Sequence, residues 1–154
     1  MENTNIRHFI GIDCAAYKFD AAWLKHPAKF AYRNKSLTND AKGRLDLLAW
    51  IRKNIAEDLS TVHVAMEATS VYHEMPAYFL YDQGATVGII NPAYISAHAK
   101  SLGKLHKTNK SDSRIIADYV YKNKDQLKTW QPEPRPVRQL KAKIERLDAL
   151  RTDL

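Results

Sequence analysis

Three acidic residues lie at the end of, within or beside apolar segments. A carboxylate at such a position, at the edge of a protein core, requires an explanation. Asp13 ends the apolar run "HFIGID", Glu67 lies within "VAMEAT", and Asp112 opens the helical stretch of "KTNKSDSRIIADY". An unpaired buried charge is costly unless a partner or a cation compensates it. Three carboxylates at one sheet edge would repel one another, whereas Mg²⁺ or Mn²⁺, which take oxygen ligands, would hold them together. The trio therefore predicts a divalent-metal site, and paired ions about 4 Å apart would clamp a phosphodiester.

Each of these acids also has an ordinary structural interpretation. Asp13 could end a strand at a turn, and Glu67 could pair with an arginine or cap the next helix. Asp112 could be the third residue of a helix capped by Asn109, because an acid there completes a near capping box and favours the helix dipole. The metal hypothesis therefore depends on the three residues as a set.

Hydrophobic periodicity predicts the elements that must position these acids. Strands are expected over residues 6–13, 18–25, 29–37, 61–69 and 85–91. Helices are expected over residues 38–55, 70–84, 93–102, about 110–123 and 137–154. In the first helix, Thr38 or Asn39 is the expected cap and Leu45 is the first of the leucines and isoleucines at helical spacing. Three antiparallel strands followed by alternating helices and strands predict an α/β fold, a mixed five-stranded sheet flanked by helices as in ribonuclease H-like proteins.

The C-terminal segment has a pattern of its own. After the proline-rich "WQPEPRP", apolar residues recur at spacings of three and four, as in a coiled coil: Val137, Leu140, Ile144 and Leu147. We expect residues 1–130 to form the metal-binding domain and 131–154 a linker and the start of a coiled-coil helix that continues in a longer protein. This helix is the expected route to a homo-oligomer, and a terminal helix packed within a complete domain is the alternative.

The net charge of +7 is concentrated in the last two fifths of the chain. Residues 1–92 carry ten basic and ten acidic side chains, whereas residues 93–154 carry fourteen and seven. This asymmetry favours a nucleic-acid partner over a merely solvated lysine-rich surface. The basic residues nearest the proposed site are the expected phosphate contacts, namely Lys100, Lys104, Lys107, Lys110 and Arg114. A single cysteine and the absence of a long apolar run predict a cytoplasmic protein without membrane contact.

Three motifs in order resemble one known family. "GID" at 11–13, "MEATSVY" at 66–72 and "HKTNKSDSRIIADY" at 106–119 are similar to the N-terminal domain of the insertion-sequence-110 family of DEDD transposases, related to Piv-type DNA invertases. The resemblance implies a RuvC-like domain that binds divalent metal through an Asp-Glu-Asp-Asp tetrad. It also implies a coiled coil, a serine nucleophile in a second domain, and a structured guide RNA that selects DNA, in a prokaryotic cytoplasm.

The family pattern transfers to this chain with one departure. Asp13 matches the first aspartate and Glu67 the glutamate. In the preferred alignment Asp112 is the last acid and Asn109 takes the place of the third, whereas the other register would put Ile115 in a ligand position. Asparagine offers a neutral carbonyl oxygen, so the resemblance implies a weakened site formed by Asp13, Glu67, Asp112 and Asn109.

The resulting prediction is the catalytic domain of a DNA transposase or recombinase that acts on DNA phosphodiesters. A non-catalytic RNA- or DNA-binding module of the same fold is the first alternative, because one acid is missing. A sugar-kinase or actin-like ATPase is a further alternative, since those proteins also open with a G-I-D strand. However, "CAAYK" follows here instead of their glycine- and threonine-rich phosphate turn.

Overall fold

A mixed sheet of five strands organises the protein. The computed structural model describes residues 5–29, 31–68, 71–103, 111–127 and 129–152. The strands are β1 (His8–Cys14), β2 (Lys18–His26), β3 (Ala31–Thr38), β4 (Val62–Glu67) and β5 (Thr86–Ile90). The helices are α1 (Ala41–Asn54), α2 (Glu74–Asp82), α3 (Pro92–Ser101), α4 (Ser111–Lys122) and α5 (Arg135–Thr152).

The strand order in the sheet is β3-β2-β1-β4-β5. β2 runs antiparallel to both β1 and β3, whereas β4 and β5 run parallel to β1. The parallel pairing of β1 with β4 puts the carboxyl ends of both strands at the same edge of the sheet. The predicted ribonuclease H-like architecture is therefore confirmed, while a coiled coil at the C-terminus stays a prediction.

Helices cover the two faces of the sheet and form two apolar cores. One core joins α1 and α2 to the sheet through Leu47, Ile51 and Leu80. The other core joins α4 and α3 to the opposite face through Ile116 and Ile95. Coverage of both faces explains why β4 is buried along nearly its whole length, as expected for a central parallel strand.

Two details of α1 differ from the expectations of sequence. Asp40, not Thr38 or Asn39, caps the helix, because its carboxylate accepts a hydrogen bond from the Gly43 amide at 2.7 Å. Leu45 is 59% exposed and faces solvent, whereas the neighbouring Leu47 fills the core. The predicted stripe is otherwise correct, since Leu48 and Ile51 are buried, but helical spacing alone does not say that Leu47 rather than Leu45 completes the buried face.

The start of α5 is attached to α2. Arg138 forms a two-pronged ion pair with Asp82, with the shorter contact at 3.1 Å, and its guanidinium lies 4.9 Å from the ring centre of Tyr78. Trp130, in the preceding segment, contacts the rings of Tyr78 and Tyr81. The segment before the last helix is therefore packed on the domain along its described part.

Candidate functional site

The end of β1 places Asp13 in a row of polar side chains that crosses three strands. In the register of the sheet Asp13 lies opposite Asp20 on β2, and Asp20 lies opposite Ser36 on β3. Residues opposite one another on neighbouring strands share a face. The Ser36 hydroxyl donates a hydrogen bond to the Asp20 carboxylate. Two carboxylates and a hydroxyl therefore line one edge of the face that α4 covers.

Close packing of α4 on β1 brings Asp112 to the same edge. A Cβ atom added at Gly11 would lie 2.1 Å from the carbonyl oxygen of Ser113 and 2.5 Å from the amide nitrogen of Ala117. The helix backbone thus rests directly on the glycine, with the Ser113 side chain buried. Because Asp112 precedes Ser113 in the first turn, it is held beside the end of β1.

These side chains surround an open cleft of about 370 Å³. Its lining consists of Asp13, Lys18, Asp20, Asn34, Lys35, Ser36, Asp112 and Ser113. The structure therefore brings together Asp13 and Asp112, two of the predicted ligands, although 98 residues lie between them in the sequence. Lys18 and Lys35 add positive charge to a cleft that also carries three carboxylates.

Glu67 reaches the same edge from the neighbouring strand. It is the last residue of β4, which pairs with β1 up to the contact of Ile12 with Met66. Burial raises the pKa of Glu67, and the nearby charges of Asp13 and Asp112 raise that pKa further. The three predicted carboxylates thus interact electrostatically, although Glu67 does not line the cleft itself.

The electrostatics of Asp13 describe a site with excess negative charge. Burial raises the pKa of Asp13, and the charges of Asp112 and Asp20 add to this effect, whereas Lys18 opposes it. Burial also raises the pKa of the adjacent Cys14 thiol to about 12, with a further contribution from Asp13. This thiol stays protonated near neutral pH and is therefore a poor nucleophile there.

The oxygen atoms that line the cleft are of the chemical types that bind hard divalent cations. Carboxylate, hydroxyl and amide oxygens line the cleft, and Mg²⁺ and Mn²⁺ prefer such ligands. Within the described ranges, however, no three histidine, cysteine, aspartate or glutamate side chains already converge as a metal site. Asn109, the fourth predicted ligand, lies outside the described residues, as do Lys104, Lys107 and Lys110.

The two other predicted phosphate contacts have different surroundings. Lys100 is exposed near the end of α3. Arg114 on α4 donates a hydrogen bond from Nε to the Asn34 side-chain oxygen at 3.0 Å, and its guanidinium lies 5.6 Å from the ring centre of Tyr32. Arg114 therefore also connects α4 to the edge strand β3.

Sequence reasoning missed two acids, Asp20 in the cleft and Asp118 on the helix that carries Asp112. Asp20 could have been found from the alternation of β2, because a tight β1–β2 hairpin pairs residue 20 with residue 13. Asp118 is buried on α4, where its carboxylate meets His98 Nε2 at 2.7 Å and Lys122 Nζ at 2.9 Å. The signal for Asp118 was its position three residues after Ile115, on the side of the helix that faces the core.

Comparison with known proteins identifies the family of this chain. A family model of the DEDD, insertion-sequence-110 type, described as "Transposase", matches residues 10–154. The chain is similar to the pilin gene-inverting proteins of Moraxella lacunata and Moraxella bovis, with 38% identity to each over 125 residues. Each alignment covers 81% of this chain and 37% of the relative, so the chain matches little more than a third of those proteins.

Solved structures show the same fold. RuvC of Thermus thermophilus superposes with a TM-score of 0.56 at 12% identity, covering 80% of this chain and 100% of that one. The same protein in complex with a Holliday junction substrate gives a TM-score of 0.54 at 11% identity, covering 79% and 98%. At these identities the likeness concerns the fold alone. None of the described helices combines the length and apolar character that a bilayer crossing requires.

Proposed function

This chain belongs to the insertion-sequence-110 family of DEDD transposases, and from that premise we propose that it is the metal-dependent domain of a DNA recombinase. Asp13, Glu67 and Asp112 would hold Mg²⁺ or Mn²⁺, with Asn109 as a neutral fourth ligand. The observation that carries this proposal is the meeting of Asp13 and Asp112 in one cleft, with the charge of Glu67 coupled to both.

The acidic and the basic residues of the cleft would have different roles. The carboxylates concentrate negative charge that only a cation or a proton relieves, and Lys18 supplies part of that compensation. A bound divalent ion would neutralise the phosphodiester and position its oxygens. Lys18 and Lys35 at the rim would contact the flanking phosphates of a DNA strand.

The finer parts of the proposal come from the family resemblance. The attacking serine would belong to a further domain, and a structured guide RNA would select the DNA. The basic part of the chain, residues 93–154, supports an RNA-binding role through its surplus of lysine and arginine. An RNA transcribed from the non-coding sequence beside the gene should bind this chain more tightly than a shuffled RNA of equal length.

We also propose that α5 joins two copies of the protein. Its apolar residues Val137, Leu140, Ile144 and Leu147 are exposed and follow coiled-coil spacing. Pairing of α5 with its copy would place two metal-binding domains in one assembly.

Metal titration of the chain tests the site. Calorimetry with MgCl₂ and MnCl₂ should detect binding, and either metal should raise the melting temperature, because a ligand that binds only the folded state stabilises it. Asp13→Asn should abolish both signals. Asp20→Asn should weaken binding about ten-fold, because it removes one of the three negative charges that line the cleft and attract the cation.

Asp46→Asn is the matched control, because Asp46 lies on the surface of α1 in an ion pair with Lys42. It should bind metal as the wild type does. Unchanged metal binding in Asp13→Asn would reject the site.

Position 109 separates the catalytic proposal from a non-catalytic module of the same fold. Asn109→Asp adds the missing carboxylate, so it should tighten metal binding if the wild-type site already functions. Binding that is absent in the wild type and present only in Asn109→Asp would favour the non-catalytic nucleic-acid-binding module.

A further inference from the structure

The edge of the sheet that carries the acids also exposes an aromatic side chain with no role so far. Tyr17 lies in the turn between β1 and β2 and is 88% exposed. It follows Asp13 by four residues and immediately precedes Lys18, which lines the acidic cleft. A single exposed aromatic residue is common on protein surfaces, so its backbone and its neighbours decide whether it has a function.

The backbone beneath this exposed ring is fixed. The Ala15 amide donates a hydrogen bond to the Lys18 carbonyl at 2.8 Å, which closes the turn. The Asn39 amide donates to the Tyr17 carbonyl at 2.9 Å, and the Asn39 side-chain nitrogen donates to the Ala15 carbonyl at 2.8 Å. The turn is therefore held to the start of α1 while the ring stands in water. A contact surface ordered in advance loses less entropy when a ligand binds.

The same asparagine joins a second aromatic residue to the turn. The Asn39 side-chain nitrogen also donates to the Tyr72 carbonyl, at 3.1 Å. Tyr72 is 46% exposed and lies in the segment after β4, the strand that ends with Glu67. Two tyrosines thus follow the two strands that carry Asp13 and Glu67, and one side chain connects their loops.

Such a pair of aromatic residues suits a nucleobase. A base paired within a duplex has both faces stacked on its neighbours, whereas an unpaired base offers a free face to an aromatic ring. We propose that Tyr17, whose turn Asn39 connects to the loop of Tyr72, is a stacking site for an unpaired base of the DNA strand whose phosphate enters the acidic cleft. This inference rests on the proposed function, because it assumes that the cleft receives a DNA phosphodiester.

Fluorescence of 2-aminopurine tests the stacking site in the whole chain. A single-stranded DNA with one 2-aminopurine should lose fluorescence on binding, both in EDTA and in Mg²⁺, because stacking needs no metal. Tyr17→Ala should weaken binding about ten-fold and remove the quenching, whereas Tyr17→Phe should retain both, since a phenyl ring also stacks. Because Tyr17 is exposed, both variants should melt at the wild-type temperature.

Tyr94→Ala is the matched control, because Tyr94 is an exposed tyrosine on α3. It should bind the labelled strand as the wild type does. Equal binding by Tyr17→Ala and the wild type would overturn the inference, and so would an equal loss in Tyr94→Ala. A preference for duplex DNA, or for RNA of the same sequence, would overturn the assignment to an unpaired DNA base.

The experiment distinguishes failure of the stacking site from failure of the metal site. Asp13→Asn should lose the metal-induced rise in melting temperature but keep the quenching in EDTA. Quenching that depends on Tyr17 without any metal binding would leave the stacking site in place and reject the metal-dependent function.

Discussion

At the scale of the residue, some polar side chains of the sheet lie at positions where they destabilise the folded protein. Asp13 and Asp20 face each other across two strands, and like charges in directly opposed positions are destabilising. His63 on β4 is buried and lies 6.3 Å, ring centre to ring centre, from Phe9. Its Nδ1 atom has no hydrogen-bond partner among the described residues. The acids have a proposed function that accounts for their cost, whereas the cost of the buried histidine should be visible in the stability of the protein.

His63 predicts a loss of stability in mild acid. Burial lowers its pKa to about 4, from the value near 6.5 expected in an unfolded chain. As the pH falls from about 6.5 to 4, His63 becomes protonated in the unfolded chain but stays neutral in the folded protein. The folded state therefore loses about 3 kcal/mol of stability relative to the unfolded state over this range. Urea unfolding measured between pH 7 and pH 4 checks this loss.

His63→Leu should flatten that pH dependence, because leucine fills a similar volume and does not titrate. His26→Leu is the matched control, since His26 is an exposed histidine at the end of β2, and its pH profile should follow the wild type. An unchanged slope in His63→Leu would contradict the prediction.

At the scale of the element, α4 decides whether the site exists. Its backbone rests on Gly11 of β1, Asp118 connects it to His98 on α3, and Arg114 connects it to Asn34 on β3. Each contact fixes the helix from a different direction. Since Asp112 lies in its first turn, the position of α4 sets the position of that carboxylate relative to Asp13.

Gly11→Ala should displace α4 and damage the site. The new Cβ would overlap the Ser113 carbonyl, and backbone atoms cannot move aside cheaply. We expect a destabilisation of about 1–3 kcal/mol, typical of an overpacked core, together with loss of the metal-induced rise in melting temperature. Chemical denaturation measures the first effect, and melting with and without Mg²⁺ measures the second.

Gly84→Ala provides a control of similar instability. Gly84 follows α2 with φ of 100°, where a side chain is strained although it would meet no neighbour within 4 Å. This variant should be less stable and still respond to metal. A full response to metal in Gly11→Ala would mean that α4 does not position Asp112.

At the scale of the whole molecule, the net positive charge and an exposed apolar stripe both belong to the C-terminal part of the chain. The entire net charge of +7 belongs to residues 93–154. In the same part, Arg138 anchors the start of α5 to Asp82, while an apolar stripe of that helix remains exposed. A helix that is anchored on one side and apolar on another is suited to meeting a second copy of itself.

Leu140→Glu should weaken self-association of the chain. A glutamate in a coiled-coil seam would bury a charge against the same charge of the partner helix. Sedimentation velocity at several concentrations should show dimers of the wild type and a shift of at least ten-fold in the concentration that Leu140→Glu needs. Leu45→Glu, at an exposed leucine on α1, should associate as the wild type does. A wild type that stays monomeric at high concentration would reject the α5 seam.

The local sequence pattern was sufficient to predict the order of the strands and helices and to single out three of the acidic residues. Strand alternation and helical spacing depend on neighbours within a few residues, so they predicted five strands and five helices with boundaries mostly within a few positions. Asp13 and Asp112 were recognisable because they lie at the end and the start of predicted elements, and Glu67 because it is a carboxylate within an apolar predicted strand. Their assignment to a metal site also drew on the resemblance to a family, and it stays a proposal.

Where several residues suited the same local role, only the tertiary structure determined which of them has it. Asp40 and its neighbours are all good caps, and Leu45 and Leu47 are equally apolar, so only docking of α1 on the sheet selects among them. Asp20 gains its significance from the register that sets it opposite Asp13, and Asp118 from the approach of His98 across two helices. The chain's own periodicity thus determined which elements form, whereas long-range contact determined which side chains meet, because burial and charge coupling arise only between residues that folding brings together.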